Sequence, residues 1–292
     1  MTDFESKYNS YLSFFNDSLN EFYETIKSKS NNLITETVVY SLKNGGKRIR
    51  PILFLSACEM LGLNYDKYTN LAIAIELIHT YSLVHDDLPC MDNDDYRRGQ
   101  LSTHKKFGEA FGVLSGDALL NLAFETALEF SNIDQNYVNA IKLLADYAGF
   151  SGMIYGQTLD ILAENSLDRT SENLYAIYLN KTAKLITAPL LMASLLANSK
   201  NYEELKEIGY NLGYLFQIQD DILDETSDVI TLGKTPNKDK DKNKLTAISI
   251  YGLDKSREML AYHYEKICNN LSFVLNSDFI KQFVDKIYNR KY

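Results

Sequence analysis

The chain has 292 residues, of which 39 are acidic and 30 basic, giving a formal net charge of -9. Hydrophobic residues make up 45% and charged residues 24%, a composition that allows a sizeable core and excludes general disorder. The acidic balance argues against non-specific nucleic-acid binding, which needs a basic face. It favours cationic partners, above all metal ions.

The cysteine pattern and the lack of targeting signals indicate a reducing compartment. Cys58, Cys90 and Cys268 are widely spaced, which argues against a disulfide framework or a thiolate zinc site. The N-terminal residues do not resemble a signal peptide. The longest apolar stretch, 185–197, is shorter than the roughly 20 residues of a membrane span. We therefore expect a cytoplasmic protein with no membrane span.

Apolar residues recur at three- and four-residue spacing along most of the chain, and only four prolines interrupt it. This spacing predicts long helices over 3–29, 71–85, 111–130, 174–198 and 202–225. No alternating strand pattern and no solenoid repeat occurs. Motif-bearing helices lie on both sides of the polar stretch 226–243, so it is not a linker. We expect an all-α protein of about ten helices that forms a single domain over 1–292.

The first candidate site segment is basic. Residues 45–51 read Gly-Gly-Lys-Arg-Ile-Arg-Pro. The glycines allow a close turn, and a helix beginning near Pro51 would add a favourable field for an anion. A Walker loop is excluded because Ser41 stands where the first glycine is required. The alternative is a helix-start turn with exposed basic side chains.

The second segment is acidic, with five aspartates among the ten residues 86–95. These charges repel one another unless cations or arginines lie between them. Pro89 cannot continue a helix undisturbed, so we expect a bulge in the chain there. The bulge would bring the carboxylates of Asp86 and Asp92 together at the mouth of one site. Arg97 at the required glycine position excludes an EF-hand, and a solvated acidic loop is the alternative.

The third segment, 216–224, contains a second aspartate cluster. Asp220 and Asp224 are four residues apart, about 40° around a helix, and Gln217 lies one turn earlier on the same face. Like charges at this spacing destabilise a helix, and a bound cation is the simplest compensation. Hard oxygen ligands suit magnesium, which takes one or two carboxylates together with substrate phosphates.

Two further features have both a functional and a structural interpretation. Five lysines, at 234, 238, 240, 242 and 244, form either a basic lid over a phosphate site or a solvated loop. His79, on a buried helix, is either a core histidine or a contact to a diphosphate. No zinc-binding histidine motif and no nucleophile elbow occurs in the chain.

The three candidate site segments, together with Gly156-Gln157-x-x-Asp160 and Lys181-Thr182, resemble the motifs of the trans-prenyl diphosphate synthases. The motifs also occur in the same order along the chain. The resemblance runs from about Lys43 to Lys244. The spacing between the pair Asp86-Asp87 and Asp92 contains a two-residue extension, which resembles the bacterial farnesyl diphosphate synthase type and some geranylgeranyl synthases. The resemblance implies a helical barrel or bundle around a deep central cavity, the isoprenoid synthase fold, in a homodimer. It also implies about three Mg²⁺ ions per site, with Mn²⁺ as a substitute, that bridge an allylic diphosphate to the two facing aspartate motifs.

The resemblance also implies a role for each matching position. Metal ligands are Asp86, Asp92 and Asp220, supported through waters by Asp87, Asp221 and Asp224. The allylic diphosphate is bound by Arg97, Lys181 and Lys234. Isopentenyl diphosphate is bound by Lys47, Arg50, His79 and Arg98, next to Gly46. Thr182 and Gln217 place oxygens near the developing cation, and the catalytic set is Asp86, Lys181, Thr182, Gln217 and Asp220.

The implied reaction is magnesium-dependent head-to-tail condensation of isopentenyl diphosphate with dimethylallyl and then geranyl diphosphate. It proceeds by ionisation, condensation and elimination to (2E,6E)-farnesyl diphosphate. Tyr81, five positions before Asp86, is a bulky residue that we predict limits the product to fifteen carbons; its alternative role is in the core. A geranylgeranyl or other-length synthase is the near alternative. A terpene cyclase needs no second diphosphate site such as Lys47 and Arg50, and an inactive regulatory subunit usually has eroded aspartates.

Overall fold

The computed structural model describes residues 2–130, 134–164, 166, 168–226 and 244–290. The first helices are α1 (Asp3–Lys29), α2 (Leu33–Lys43), α3 (Ile49–Met60), a 3-10 turn (Tyr65–Tyr68) and α4 (Thr69–Asp86). Strands β1 (Tyr96–Arg97) and β2 (Gln100–Leu101) precede α5 (Thr103–Phe107), α6 (Glu109–Leu128), α7 (Gln135–Ala148) and α8 (Met153–Glu164). The last are α9 (Ser171–Ile177), a π-helix (Tyr178–Ala183), α10 (Lys184–Leu196), α11 (Tyr202–Thr226), α12 (Ala247–Leu271) and α13 (Asp278–Tyr288).

The all-α prediction is confirmed. Among the described residues the only strands are the two-residue pair β1 and β2, which form an antiparallel hairpin. The predicted helices match α1, α4, α6 and α11 to within about two residues at each end. The predicted helix 174–198 corresponds to α9, the π-helix and α10, which follow one another without a gap but differ in hydrogen-bonding register.

Local capping explains several of the helix boundaries. Thr2 and Glu5 form a capping box at the start of α1, and Asn32 caps α2. Thr246 forms a second capping box with Ser249, which starts α12. Each cap supplies an acceptor for a backbone N–H that has no partner within the helix.

Contacts between Cα atoms group the chain into two compact units. Unit 1 consists of the described residues of Met1–Leu55 and Asn64–Asp134, and unit 2 of those of Ser56–Leu63 and Gln135–Tyr292. The single-domain organisation expected for 1–292 stays a prediction.

Unit 1 is built around helices α4 and α6, which pack closely along their lengths. Helix α4 is apolar and buried on most of its circumference, as the sequence predicts for a central helix. His85 on α4 contacts α6 so closely that a Cβ atom on Gly116 would lie 2.0 Å from its Nε2 atom. The glycine therefore permits the approach of these two helices.

Unit 2 is built around α10 and α11. Helix α11 packs against α10, α12 and the π-helix, while α7 packs against α10 and α8 against the π-helix. Helix α10 is almost entirely apolar and buried, and it accommodates Pro189 in its interior. None of the described helices is both long and apolar enough to span a lipid bilayer.

Candidate active site

The first aspartate motif begins where α4 ends, at Asp86. The chain then folds back, so that the N–H of Asp92 donates to the carbonyl of Asp86 at 2.7 Å and that of Asp94 to the carbonyl of Asp87 at 3.1 Å. Asp86 and Asp92 are therefore neighbours, as expected from the break at Pro89, and both are half-buried. Their carboxylates retain access to solvent and to a ligand.

Asp87, by contrast, is buried and is paired with Arg97. The Nε atom of Arg97 donates to Oδ1 of Asp87 at 3.0 Å, and the guanidinium also lies 3.6 Å from Asp94. Burial raises the pKa of the Asp87 carboxyl, and the hydrogen bond and charge of Arg97 act in the opposite direction. Asp87 thus fixes the position of Arg97 within the loop.

The glycine turn lies against Arg98. Gly45 and Gly46 have φ angles of 75° and 127°, which favour glycine, and the guanidinium of Arg98 donates to the carbonyl of Gly45. A Cβ atom on Gly46 would lie 2.5 Å from the guanidinium carbon of Arg98. The carbonyl of the next residue, Lys47, accepts a hydrogen bond of 2.7 Å from Tyr8. The turn is therefore shaped to receive an arginine side chain.

One basic residue of the segment 45–51 has a structural role. Arg48 is buried and forms an ion pair of 2.5 Å with Glu76 on α4, and it also donates to the carbonyl of Leu42 at 2.7 Å. Lys47 and Arg50 are the other basic residues of this segment.

His79 lies on α4 within the field of several arginines. Burial, together with the positive charges of Arg50 and Arg98, holds the pKa of His79 well below its usual range. The imidazole is therefore neutral at physiological pH, and it can donate one hydrogen bond and accept another without adding charge. His79 therefore lies within electrostatic range of Arg50 and Arg98.

The second aspartate motif lies near the end of α11. Asp220 and Asp224 are half-buried, whereas Asp221 between them is buried. Asp221 accepts hydrogen bonds from the Tyr178 hydroxyl, from the N–H of Ala247 at 2.7 Å and from Gln217 at 3.2 Å. This carboxylate joins α11 to the π-helix and to the first residue of α12.

Thr182 and Gln217 extend this network. The Thr182 hydroxyl donates to the amide oxygen of Gln217 at 2.9 Å, and the Gln217 amide nitrogen donates to Asp221. Both side-chain oxygens carry partial negative charge, which suits a site that stabilises a cation.

Lys181 is positioned by the π-helix and by α8. Its ammonium group donates to the buried Asp160 at 2.5 Å, and Lys244 approaches the same carboxylate at 3.5 Å. A Cβ atom on Gly156 would lie 2.1 Å from the backbone nitrogen of Lys181, so α8 and the π-helix are in direct backbone contact there. Two cations thus share one buried carboxylate.

Tyr81 and Lys234 are the remaining predicted site residues. Tyr81 is 5% exposed, its ring lies edge-on to that of His85 at 6.0 Å, and burial together with the charge of Asp86 raises its pKa to about 12. Lys234, with lysines 238, 240 and 242, lies outside the described residues.

The chemistry of the half-buried carboxylates fits magnesium. Asp86 and Asp92 in unit 1, and Asp220 and Asp224 in unit 2, offer hard anionic oxygens. Within the described ranges, no three acidic, histidine or cysteine side chains form a metal-binding group. Mg²⁺ generally keeps several waters and uses one or two carboxylates with substrate phosphates, so an all-protein cage is not required.

The sequence interpretation missed two side chains that contact these aspartates. Arg290, which follows α13, forms an ion pair with Asp220, and Tyr178 binds Asp221. Arg290 is 70 residues from its partner, and no local pattern marks it. Tyr178 lies three residues before the recognised Lys181-Thr182 pair, but its hydroxyl role depends on the π-helical geometry.

Comparison with known proteins identifies the family. The model of the polyprenyl synthetase family matches residues 31–273. The chain therefore belongs to the polyprenyl synthetase family, a family of prenyltransferases.

Individual relatives include synthases of two product lengths. The chain is 42% identical over 252 residues to a farnesyl diphosphate synthase from Micrococcus luteus, covering 86% of this chain and 85% of the relative. It is 43% identical over 231 residues to geranylgeranyl pyrophosphate synthase 4 from Arabidopsis thaliana, covering 78% of this chain and 62% of the relative. It is also similar to the crystal structure of a Helicobacter pylori geranyltransferase complexed with magnesium and isoprenyl diphosphate. That match has a TM-score of 0.80 and 32% identity, and it covers 96% of each chain.

Proposed function

We propose that this protein is a magnesium-dependent farnesyl diphosphate synthase that condenses isopentenyl diphosphate with dimethylallyl and then geranyl diphosphate. The observation that carries the proposal is the 42% identity to a farnesyl diphosphate synthase over 86% of the chain. The Helicobacter relative, whose structure contains magnesium and an isoprenyl diphosphate, supports the choice of metal and substrate class. We include in the proposal a single domain and a cytoplasmic homodimer.

Within unit 1, the basic and acidic residues have distinct tasks. Asp86 and Asp92 would hold Mg²⁺, supported by Asp87, and Arg97 would bind the allylic diphosphate. Bound Mg²⁺ supplies positive charge that stabilises the diphosphate as a leaving group. Arg97 is already oriented by its hydrogen bonds to Asp87, so it needs little reorganisation to stabilise the same developing charge.

The second diphosphate site is also assigned to unit 1. Lys47, Arg50 and Arg98 provide cationic donors for isopentenyl diphosphate, and arginine donors suit the geometry of phosphate oxygens. The turn at Gly46 holds the guanidinium of Arg98 in place. His79 is neutral, so it adds a hydrogen bond to this cluster without increasing the repulsion among its cations.

Within unit 2, Asp220 and Asp224 would hold Mg²⁺ and Lys181 would bind the allylic diphosphate. Thr182 and Gln217, which are hydrogen-bonded to each other, would present oxygens with partial negative charge to the carbocation that ionisation leaves. The double bond of isopentenyl diphosphate then attacks this cation, and loss of a proton completes the elimination. We assign no side chain as a base, because the resemblance implies that the released diphosphate accepts this proton.

The proposal also specifies the chain length of the product. The Arabidopsis relative at 43% identity is a geranylgeranyl pyrophosphate synthase, so a twenty-carbon product is the second candidate. We favour fifteen carbons because Tyr81 is a bulky, buried side chain on the helix that ends at Asp86.

Product chromatography after incubation with labelled isopentenyl diphosphate and each allylic primer tests this assignment. We expect the wild type to accumulate farnesyl diphosphate and Tyr81→Ala to shift the products toward longer chains. The control is Tyr96→Ala, since Tyr96 is 64% exposed, and it should leave the product unchanged. Geranylgeranyl diphosphate as the main wild-type product would refute the fifteen-carbon assignment.

A further inference from the structure

Arg290 lies across one face of helix α11 and is held there by three contacts. Its carbonyl accepts a hydrogen bond of 2.7 Å from the side chain of Gln219, and its guanidinium carbon lies 4.8 Å from the centre of the Phe216 ring. Its guanidinium also donates to Oδ1 of Asp220. Phe216, Gln219 and Asp220 are spaced by three and four residues, so they lie on one helix face.

We propose that Arg290 is a built-in counter-ion of Asp220, which a divalent cation must displace in order to bind that carboxylate. Arg290 then sets the metal affinity of the second aspartate motif. The proposal rests on the proposed function only in taking Asp220 as a metal ligand.

Charge and accessibility support this role. The Asp220 side chain is 43% exposed, so a cation can reach it, while the Arg290 side chain is only 13% exposed and remains close to α11. A guanidinium does not lose its proton in proteins, so Arg290 is a permanent positive charge at this carboxylate. It repels a divalent cation and occupies one of the two oxygens that the cation would use.

The same ion pair explains how α11 tolerates two aspartates one turn apart. Asp220 and Asp224 repel each other at this spacing, and without metal they need a compensating positive charge. Arg290 supplies that charge at Asp220. A metal ion bound at the motif makes this compensation unnecessary.

The guanidinium also retains an unused donor in this position. Its Nε atom is buried and finds no hydrogen-bond acceptor among the described residues. A buried donor without an acceptor costs free energy, which lowers the cost of moving the side chain away from Asp220. The contact therefore favours exchange with a cation over a permanent structural link.

The test is a titration with Mn²⁺ alone, in which electron paramagnetic resonance measures the free ion. We expect Arg290→Gln to bind Mn²⁺ roughly two- to fivefold more tightly than the wild type, the effect of removing one partly exposed ion pair. Arg290→Lys, which keeps the charge, should stay close to the wild type. The matched control is Arg257→Gln, because Arg257 is an exposed arginine of α12 that pairs with Asp254 at 3.9 Å, and it should have no effect.

A double variant tests whether the change in Mn²⁺ affinity depends on the Asp220 carboxylate. In Asp220→Asn, the additional Arg290→Gln substitution should not change Mn²⁺ affinity. Unchanged or weaker binding by Arg290→Gln, the same gain in the Asp220→Asn background, or no saturable binding by any of these proteins would overturn the proposal. Product formation by the wild type tests the proposed function separately, so an active synthase with unaltered Mn²⁺ affinity in Arg290→Gln would refute the counter-ion role alone.

Discussion

The aspartate pairs Asp86–Asp87 and Asp220–Asp221 each have one half-buried and one buried member. Asp86 and Asp220 retain access to solvent, whereas Asp87 and Asp221 are buried and hydrogen-bonded. Neighbouring helical side chains point about 100° apart, so two consecutive carboxylates cannot both face the same ligand. The half-buried members can ligate a metal, and the buried members hold the surrounding residues in place.

This division predicts different consequences for substitutions in the second pair. Asp220→Ala should reduce the kcat of condensation roughly a hundredfold or more, because it removes a carboxylate proposed to hold the Mg²⁺ that stabilises the leaving diphosphate. It should change the free energy of unfolding by no more than about 1 kcal/mol, because loss of the partly exposed ion pair with Arg290 is offset by relief of the repulsion from Asp224. Asp221→Ala should lower that free energy by about 2–3 kcal/mol, because it removes a buried carboxylate with three hydrogen-bond donors. Steady-state kinetics and urea unfolding measure the two quantities.

The control for both substitutions is Asp254→Ala. The side chain of Asp254 is 99% exposed on α12, so neither kcat nor stability should change. Unaltered turnover in Asp220→Ala would contradict the metal-ligand role of this residue.

His263 predicts a pH dependence of stability that is independent of the proposed reaction. It is buried on α12, and its Nδ1 atom is hydrogen-bonded to Oδ1 of Asn211 at 2.9 Å. Burial lowers the pKa of His263 from 6.5 to about 4. The unfolded chain therefore binds this proton at a higher pH than the folded protein does. Its contribution to stability is complete above pH 6.5 and is lost as pH falls toward about 4, by up to roughly 3 kcal/mol.

Denaturant unfolding across this pH range measures the effect. His263→Gln retains a hydrogen-bonding group for Asn211 but does not titrate, so its stability should fall less steeply between pH 6.5 and about 4. Parallel pH profiles for the two proteins would show that His263 is not responsible.

At the scale of elements, periodicity predicts helices well but does not predict changes in their hydrogen-bonding register. Helix α1 has the predicted bounds Asp3–Lys29 because its apolar spacing coincides with a capping box at Thr2. The predicted helix 174–198 hides the π-helix Tyr178–Ala183, since apolar spacing does not reveal i to i+5 hydrogen bonds. That π-helix carries Lys181 and Thr182, two of the residues that we propose act in the reaction.

The contact between α8 and the π-helix depends on Gly156. A Cβ atom there would lie 2.1 Å from the backbone nitrogen of Lys181, and backbone cannot move aside as a side chain can. Gly156→Ala should therefore lower the free energy of unfolding by about 1–3 kcal/mol and raise the KM for the allylic diphosphate, because it displaces Lys181. Calorimetry and kinetics test this expectation.

Leu162→Ala serves as the control on the same helix. Leu162 is 63% exposed, so its truncation should change neither the free energy of unfolding nor the KM. Equal behaviour of Gly156→Ala and the control would show that the close backbone contact is not required.

At the scale of the whole molecule, the sequence predicts those parts of the candidate site whose residues lie close together in short motifs. Asp86 and Asp92 are six residues apart, and Pro89 indicates the fold-back that makes them neighbours. Contacts between distant residues were not predictable. The pair of Arg290 with Asp220, 70 residues apart, follows from the packing of tertiary structure and leaves no trace in local sequence.

The most direct test of the central claim is the rate at which the wild-type protein incorporates labelled isopentenyl diphosphate into product. We predict incorporation that requires both an allylic diphosphate and Mg²⁺, and that stops when a chelator removes the metal. Turnover of the allylic diphosphate alone, with no requirement for isopentenyl diphosphate, would contradict the account, and so would the absence of any incorporation under these conditions.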